Sequence, residues 1–362
     1  MVAYHSGPNE WRLPPRDAAG WLVWPALGAK WLLVPLLHFG YVGVHLFFVI
    51  SGFCIHLRAA RARRDPAART LPVREFFLRR FWRIYPPYWI ALGLFGIAVP
   101  VAAHALGQAA AGYTAGDLAL HASMLHTFSE RAIFSINPAF WSIATEEQFY
   151  LIYPLILPLL ARAAAARRFS LVLGAALLVS LGVRGAFFLA VPATVEHFMT
   201  WRLLSAFFLP RWFEWLLGCA LAEAVVNPDN PLARHRRLLA IAAPLLLALA
   251  MACRVHVLAD KLFADSLFGA GFAALAGALL GGARADGSPG VIGRALTAVG
   301  RRAYGTYLIH QPILDGPWLP LPLRLVLAAA ASALFSRFAE RPFERRSQRV
   351  GSAPEIVKYS AA

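Results

Sequence analysis

Apolar runs of membrane-spanning length recur along the chain, near residues 40–57, 84–105, 138–161, 169–191, 203–226, 238–253, 262–283, 303–317 and 320–338. A helix needs about 20 apolar residues to cross a bilayer core of about 30 Å. The pattern therefore predicts an all-α polytopic integral membrane protein. Several runs contain Pro or Gly, which membrane helices tolerate because neighbouring groups re-satisfy the freed backbone. The stretch 118–128 (LALHASMLHTF) is too short to cross and is expected to be re-entrant or interfacial.

The polar residues between the runs set the orientation. If 118–128 does not cross, arginine clusters at Arg58 to Arg83, Arg162 to Arg168, Arg234 to Arg237, Arg284 to Arg302 and from Arg337 onward fall on one side. The positive-inside rule makes that side cytoplasmic and puts the C-terminus inside. The 40–57 helix then runs outside to inside, which places Met1 to about Trp31 outside. Yet VAYHS, just after Met1, reads as the last turns of an apolar helix. The expectation is about ten transmembrane helices, the first largely truncated at the N-terminus. One membrane domain over 1–345 is expected, with a cytoplasmic tail over 346–362. No repeat of fixed period and no inverted pair of broken helices stands out.

Composition narrows the class. The chain is 59% hydrophobic and 15% charged, against about 45–50% and about 25% in soluble domains. That excludes a disordered chain and a soluble enzyme. The net charge of +16 does not point to nucleic acid, because the arginines sit in short clusters between apolar runs rather than on one basic face. Cys54, Cys219 and Cys253 are isolated, so neither a disulfide framework nor a metal site is expected. The opening MVAYHSGPNEW lacks the basic start and apolar core of a cleavable signal peptide.

Charge at membrane depth is costly and invites a functional reading. In Asn137-Pro-Ala-Phe-Trp-Ser-Ile-Ala-Thr-Glu146-Glu147-Gln-Phe-Tyr150, Asn137-Pro138 is a helix start. Ser142, Glu146, Phe149 and Tyr153 then share a face. Glu146 is one of an interfacial pair of carboxylates, or in an ion pair with a neighbouring arginine, or a partly buried group that acts on a proton or orients a histidine. In Arg79-Arg80-Phe-Trp-Arg83, Arg80 and Arg83 lie one turn apart at a helix mouth. They are either membrane anchors or a two-arginine grip on a phosphorylated ligand. In the block Gly40 to His56, the glycines and Ser51 permit close helix approach, and His45 reads as a satisfied core histidine. Arg211 and Glu214 read as a structural ion pair at i, i+3.

Together these segments resemble acyltransferase family 3, the integral-membrane acyltransferases that O-acylate bacterial envelope and exported carbohydrates. The resemblance runs in family order over nearly the whole chain: VAYHS, GYVGVHLFFVISGFCI, RRFWRIYPPYW, NPAFWSIATEEQFYLIYPL, RWFEWLLGCALAE, AYGTYLIHQPIL and AERPFERR. It implies transfer of an acyl group, acetyl in most members, from acyl-CoA to a hydroxyl. Acyl-CoA would be a co-substrate, with no permanently bound cofactor or metal. The acceptor would be a carbohydrate or lipid-linked glycan, and the chain would lie in the bacterial inner membrane. The family's first-helix histidine falls on His5, its R-x-x-R on Arg80 and Arg83, and the carboxylate of its WS block on Glu146. Two family features are missing. An arginine that precedes the histidine by eleven residues would lie before Met1, and His45 stands where Asp is common.

A thioester is already activated, so such an enzyme needs a base, an oxyanion stabiliser and positioning. His5 would take the hydroxyl proton. Glu146 would fix its tautomer or hold its positive charge. Arg80 and Arg83 would hold the CoA phosphates, with no acyl-serine intermediate. This topology leaves His5 near the outer face and the arginines inside, across about 30 Å of core. A polytopic transporter and a non-catalytic relative are the alternatives.

Overall fold

The computed structural model describes residues 42–64, 72–108, 112–193, 197–282, 294, 297, 300–315 and 319–350. His5, the VAYHS segment, Arg284 and the end of the tail lie outside the described residues. Among those described the regular structure is helical, with no strand. The chain is an all-α polytopic membrane protein.

Among the described residues the main helices, in chain order, number twelve. They are α1 (Gly43–Arg64), α2 (Val73–Gly93, running on through a π turn to Ala105), α3 (Ala115–Ala122) and α4 (Phe140–Ala165). Next come α5 (Phe169–Ala190), α6 (Phe198–Ser205), α7 (Phe208–Val226), α8 (Pro231–Arg234) and α9 (Arg236–Cys253). Then α10 covers Val257–Leu280 around a π turn, α11 covers Ala303–Asp315, and α12 starts at Leu321 and runs through a third π turn to Arg349.

Seven helices among the described residues are long and apolar enough to cross a bilayer: α1, α2, α4, α5, α9, α10 and α12. Their exteriors are apolar. On α9, Leu238, Ile241, Leu245 and Leu249 form an exposed stripe at helical spacing, and Leu155 of α4 and Leu189 of α5 are also exposed. Such a surface suits lipid rather than water. The largest buried cluster is aromatic-rich: Phe48, Tyr88, Phe140, Phe149, Trp215 and Leu308 bring α1, α2, α4, α7 and α11 together.

The tightest crossing is α1 on α7. A Cβ added to Gly52 would meet the Trp215 carbonyl oxygen at 2.0 Å, and one added to Gly218 would meet that of Val49 at 2.0 Å. Only glycine lets these backbones approach so closely. The close approach expected around Ser51-Gly52 is therefore present, with Gly218 as its partner.

One expected span is divided. The 203–226 run breaks at Ala206–Phe207 into α6 and α7. Side chains of α4 close the break: Thr145 Oγ1 donates to the Ala206 carbonyl at 2.7 Å, and the Phe208 N–H donates to Gln148 Oε1 at 3.1 Å. A helix interruption survives in an apolar setting because polar neighbours satisfy its freed backbone groups.

The 118–128 stretch does not cross. Thr114 and Asp117 form a reciprocal capping box that starts α3, and a 3-10 turn over His126–Phe128 follows. Tyr88 and Trp89 of α2 donate to the carbonyls of His121 and Ala122 at 3.0 and 2.9 Å, which ties this connection against α2. Contacts between the arginine clusters agree with that topology. Arg63 on α1 pairs with Glu223 at the end of α7, Arg167 reaches Asp229 at 4.0 Å, and Arg83 pairs with Glu344 at 3.0 Å. The clusters at Arg58–Arg83, Arg162–Arg168 and beyond Arg337 thus share one end of the bundle.

The α3 connection also carries a titratable pair. The His121 and His126 rings stack at 3.9 Å, both fully buried. Burial pushes His121 down to about 4, and burial and then the neighbouring His121 ring push His126 well below its ordinary value. Both rings prefer the neutral form when folded, so the unfolded chain binds more protons on acidification. Stability is then full above about pH 6.5 and falls as the pH drops toward 4. His121 alone should cost roughly 2 kcal/mol between pH 7 and 5. Thermal unfolding of the detergent-solubilised chain across that range should show the loss, and a His121→Gln/His126→Phe variant should flatten it.

Candidate active site

Asn137 positions the helix that carries the site. Its Oδ1 accepts the Ala139 N–H at 3.0 Å, and its Nδ2 donates to the Leu308 carbonyl at 2.8 Å, which fixes the start of α4 against α11. From that start Ser142, Glu146, Phe149 and Tyr153 all face inward and are buried. Ser142 Oγ and the Tyr307 hydroxyl share a hydrogen bond of 2.5 Å, a second tie to α11.

Glu146 sits at the centre. Ser51 Oγ of α1 donates to its Oε1 at 2.6 Å, and the Tyr150 hydroxyl donates to the same oxygen. Trp215 Nε1 in turn lies 3.3 Å from Ser51 Oγ. A serine and a tyrosine therefore converge on one carboxylate oxygen, and an indole from a third helix holds the serine. Burying a carboxylate requires both donors and countercharge, and Arg80 and Arg83 supply the charge on Glu146. The Arg80 guanidinium lies 5.5 Å from the Tyr150 ring and 5.9 Å from the Phe76 ring. Its Nε is buried and makes no hydrogen bond among the described residues. Arg83 Nη1 donates to Glu344 at 3.0 Å. Glu147, next along α4, is buried and accepts from the Tyr85 hydroxyl.

Three of the four residues singled out in the sequence thus belong to one cluster: Glu146, Arg80 and Arg83. His5 lies outside the described residues. Tyr150 stands one turn beyond Glu146, but helical spacing put Phe149 and Tyr153 on the carboxylate's face instead, and Ser51 offered no signal beyond helix packing. It does both jobs, since Gly52 makes the crossing while Ser51 reaches the carboxylate.

Two further histidines have fixed protons. His310 Nδ1 faces the carbonyls of Thr306 and Tyr307 at 3.1 and 2.8 Å. Carbonyls only accept, so Nδ1 carries the hydrogen and the lone pair of the neutral ring is on Nε2. His56 Nε2 meets Glu223 Oε1 at 2.6 Å, which leaves its Nδ1 to accept from the Tyr153 hydroxyl at 3.1 Å.

A separate buried network joins four helices. His45 of α1 lies between Glu214 Oε2, 2.9 Å from Nδ1, and Asp265 Oδ1, 3.5 Å from Nε2. Arg211 Nη1 pairs with Glu214 at 3.2 Å and with Asp265 at 3.1 Å, and Arg184 Nη2 pairs with Asp265 at 2.6 Å. The Arg211–Glu214 ion pair is present, as the spacing implied, and His45 is satisfied. This network lets α7 carry charge within the bundle.

Fold and site together define a polytopic membrane protein with a buried carboxylate, two hydroxyl donors and a facing arginine pair. The chain belongs to the acyltransferase domain family, which matches residues 1–336. It is similar to the peptidoglycan O-acetyltransferase OatA of Listeria monocytogenes, at 26% identity over 84% of this chain and 51% of that protein. It also resembles YrhL of Bacillus subtilis, provisionally named a peptidoglycan O-acetyltransferase, at 29% identity over 54% of this chain and 30% of that protein. The chain spans about half or less of the length of these curated relatives. No solved structure is significantly similar to it.

Proposed function

We propose that the chain is a membrane O-acyltransferase that moves an acetyl group from acetyl-CoA to a hydroxyl of a carbohydrate or lipid-linked glycan. It would do so in the bacterial inner membrane, with its C-terminus cytoplasmic. The observation that carries this reading is the Ser51–Glu146–Tyr150 cluster beside Arg80 and Arg83, in a chain of the acyltransferase domain family. The names of the relatives favour a saccharide acceptor.

The chemistry needs few groups. The acceptor oxygen attacks the thioester carbonyl carbon, an ester C–O bond forms, the C–S bond breaks, and coenzyme A leaves as thiolate. The acceptor's proton passes to a base, for which the family resemblance offers His5, and finally to the sulfur. Glu146 holds the developing positive charge on that base. Its Oε1 is fixed by Ser51 and Tyr150, so little reorganisation accompanies the step. Arg80 and Arg83 hold donor phosphate through planar guanidinium contacts.

The test is transfer of radiolabelled acetyl from acetyl-CoA in membranes that express the chain, with lipid-linked glycan and whole polysaccharide as acceptors. Alkali-labile label on the saccharide is expected. Solute uptake with no consumption of acetyl-CoA would replace this reading with a carrier, and a chain inert in both assays would be a non-catalytic relative.

A further inference from the structure

The last helical turns of α12 are not a loose tail. Over Arg341–Arg349 they dock on the N-terminal half of α2. Ser347 Oγ donates to the Arg79 carbonyl at 2.8 Å, Arg79 Nε donates to the Val350 carbonyl at 2.8 Å, and Arg83 pairs with Glu344. The rings of Trp82 and Phe343 stack, with planes 6° apart.

This docking leaves a cleft of about 650 Å³ between the two helices, lined by Trp82, Pro342, Arg345, Arg346, Arg349 and Val350. Its size falls within the usual range for small-ligand sites, about 300–1,000 Å³. Three guanidinium groups line it and, among the described residues, no carboxylate does. The one acid of this helical segment, Glu344, is committed to Arg83. Arg346 lies over the Trp82 ring at 3.9 Å, so one wall is a flat cation–aromatic layer.

Simple membrane anchors would be spread around the helix and would need no concave floor. Here clustered guanidinium charge, a planar aromatic layer and a cavity coincide. That combination suits a ligand with several phosphate oxygens and a planar base: guanidinium forks match phosphate, and a purine extends the Trp82–Arg346 stack. The cleft also adjoins the site. Trp82 precedes Arg83 in α2, and Glu344 links the docked segment to Arg83 itself.

We infer that this cleft binds the phosphorylated nucleotide end of the acyl-CoA donor, so that the arm carrying the thioester leads away past Arg83 and Arg80 toward Glu146. The inference rests on acyl-CoA being the donor. It adds Trp82, Arg345, Arg346 and Arg349 to Arg80 and Arg83 of α2.

The experiment uses the full chain in nanodiscs of neutral phosphatidylcholine, with coenzyme A and its 3′-dephospho form as binding probes and acetyl-CoA turnover measured alongside. An Arg346→Gln/Arg349→Gln variant should weaken coenzyme A binding, and raise the KM for acetyl-CoA, by about tenfold or more, with kcat within about twofold. It should also lose the preference for coenzyme A over the dephospho form. Trp82→Leu should weaken both probes alike. Arg237→Gln, which removes an exposed arginine elsewhere, should change nothing. Unchanged coenzyme A binding in the double variant overturns the inference, even if acetyl transfer stands. Weakened binding to phosphatidylglycerol vesicles with unchanged coenzyme A binding overturns it in favour of a lipid headgroup. Coenzyme A binding that depends on these arginines, without acetyl transfer, sustains the cleft and removes the proposed reaction instead.

Discussion

Glu146→Gln lowers the turnover of acyl transfer by about 10²–10⁴-fold, the range general acid–base groups supply. The KM for acetyl-CoA should change little, because the arginines assigned to the donor remain. Glutamine is nearly the same shape and keeps an oxygen that can accept from Ser51 and Tyr150, so those two hydrogen bonds can persist. What is lost is the negative charge on which Arg80 and Arg83 act. In the proposed step that charge stabilises the base as it takes the proton, an interaction stronger in the transition state than before it. Such a loss appears in kcat rather than in KM. The measurement is a full saturation curve at matched protein levels, with thermal unfolding to confirm that the variant folds. Turnover near the wild-type value would remove Glu146 from the chemistry.

The second large effect is on stability. Asp265→Asn should cost about 3–5 kcal/mol, the usual penalty for removing one partner of a buried ion network. Asp265 accepts from Arg184 at 2.6 Å and faces Arg211 at 3.1 Å, with His45 at 3.5 Å. The four charged groups balance, two arginines against two acids. Neutralising Asp265 leaves two buried guanidiniums with Glu214 alone. The loss should show as poor accumulation in the membrane and a lower melting temperature in detergent. Adding Arg184→Gln restores the balance and should recover part of the loss, because coupled partners do not add independently. An Asp265→Asn chain as stable as wild type would mean that the network contributes little.

Much of the architecture was legible because it rests on patterns confined to one segment. The apolar runs gave the α1, α2, α4, α5, α9, α10 and α12 spans, and the shortness of 118–128 correctly withheld a crossing there. The Asn137-Pro138 start followed from helix-start chemistry and the inward face of α4 from helix periodicity. The break at Ala206 did not, because it depends on Thr145 and Gln148 of another helix meeting the freed backbone groups.

The site divides in the same way. Glu146, Arg80 and Arg83 were conspicuous as charges in apolar surroundings. Ser51 was not, since its role depends on a carboxylate 95 positions further along the chain. Arg211 and Glu214 could be paired from their spacing, whereas Asp265, in the plain stretch DSLFGAG, gave no sign of completing their network. Spacing reports neighbours on one helix. Partners across the bundle emerge only when the close crossing at Gly52 and Gly218 sets which faces meet.

The decisive measurement is a single turnover with enzyme in excess over radiolabelled acetyl-CoA, quenched at intervals and separated into coenzyme, protein and saccharide. Direct transfer under the control of Glu146 predicts that label passes from coenzyme to saccharide ester in one phase, that the protein is never labelled, and that Glu146→Gln slows that phase as much as it slows turnover. Label that builds up on the protein before it reaches the saccharide, or a transfer phase that Glu146→Gln leaves unchanged, would contradict it.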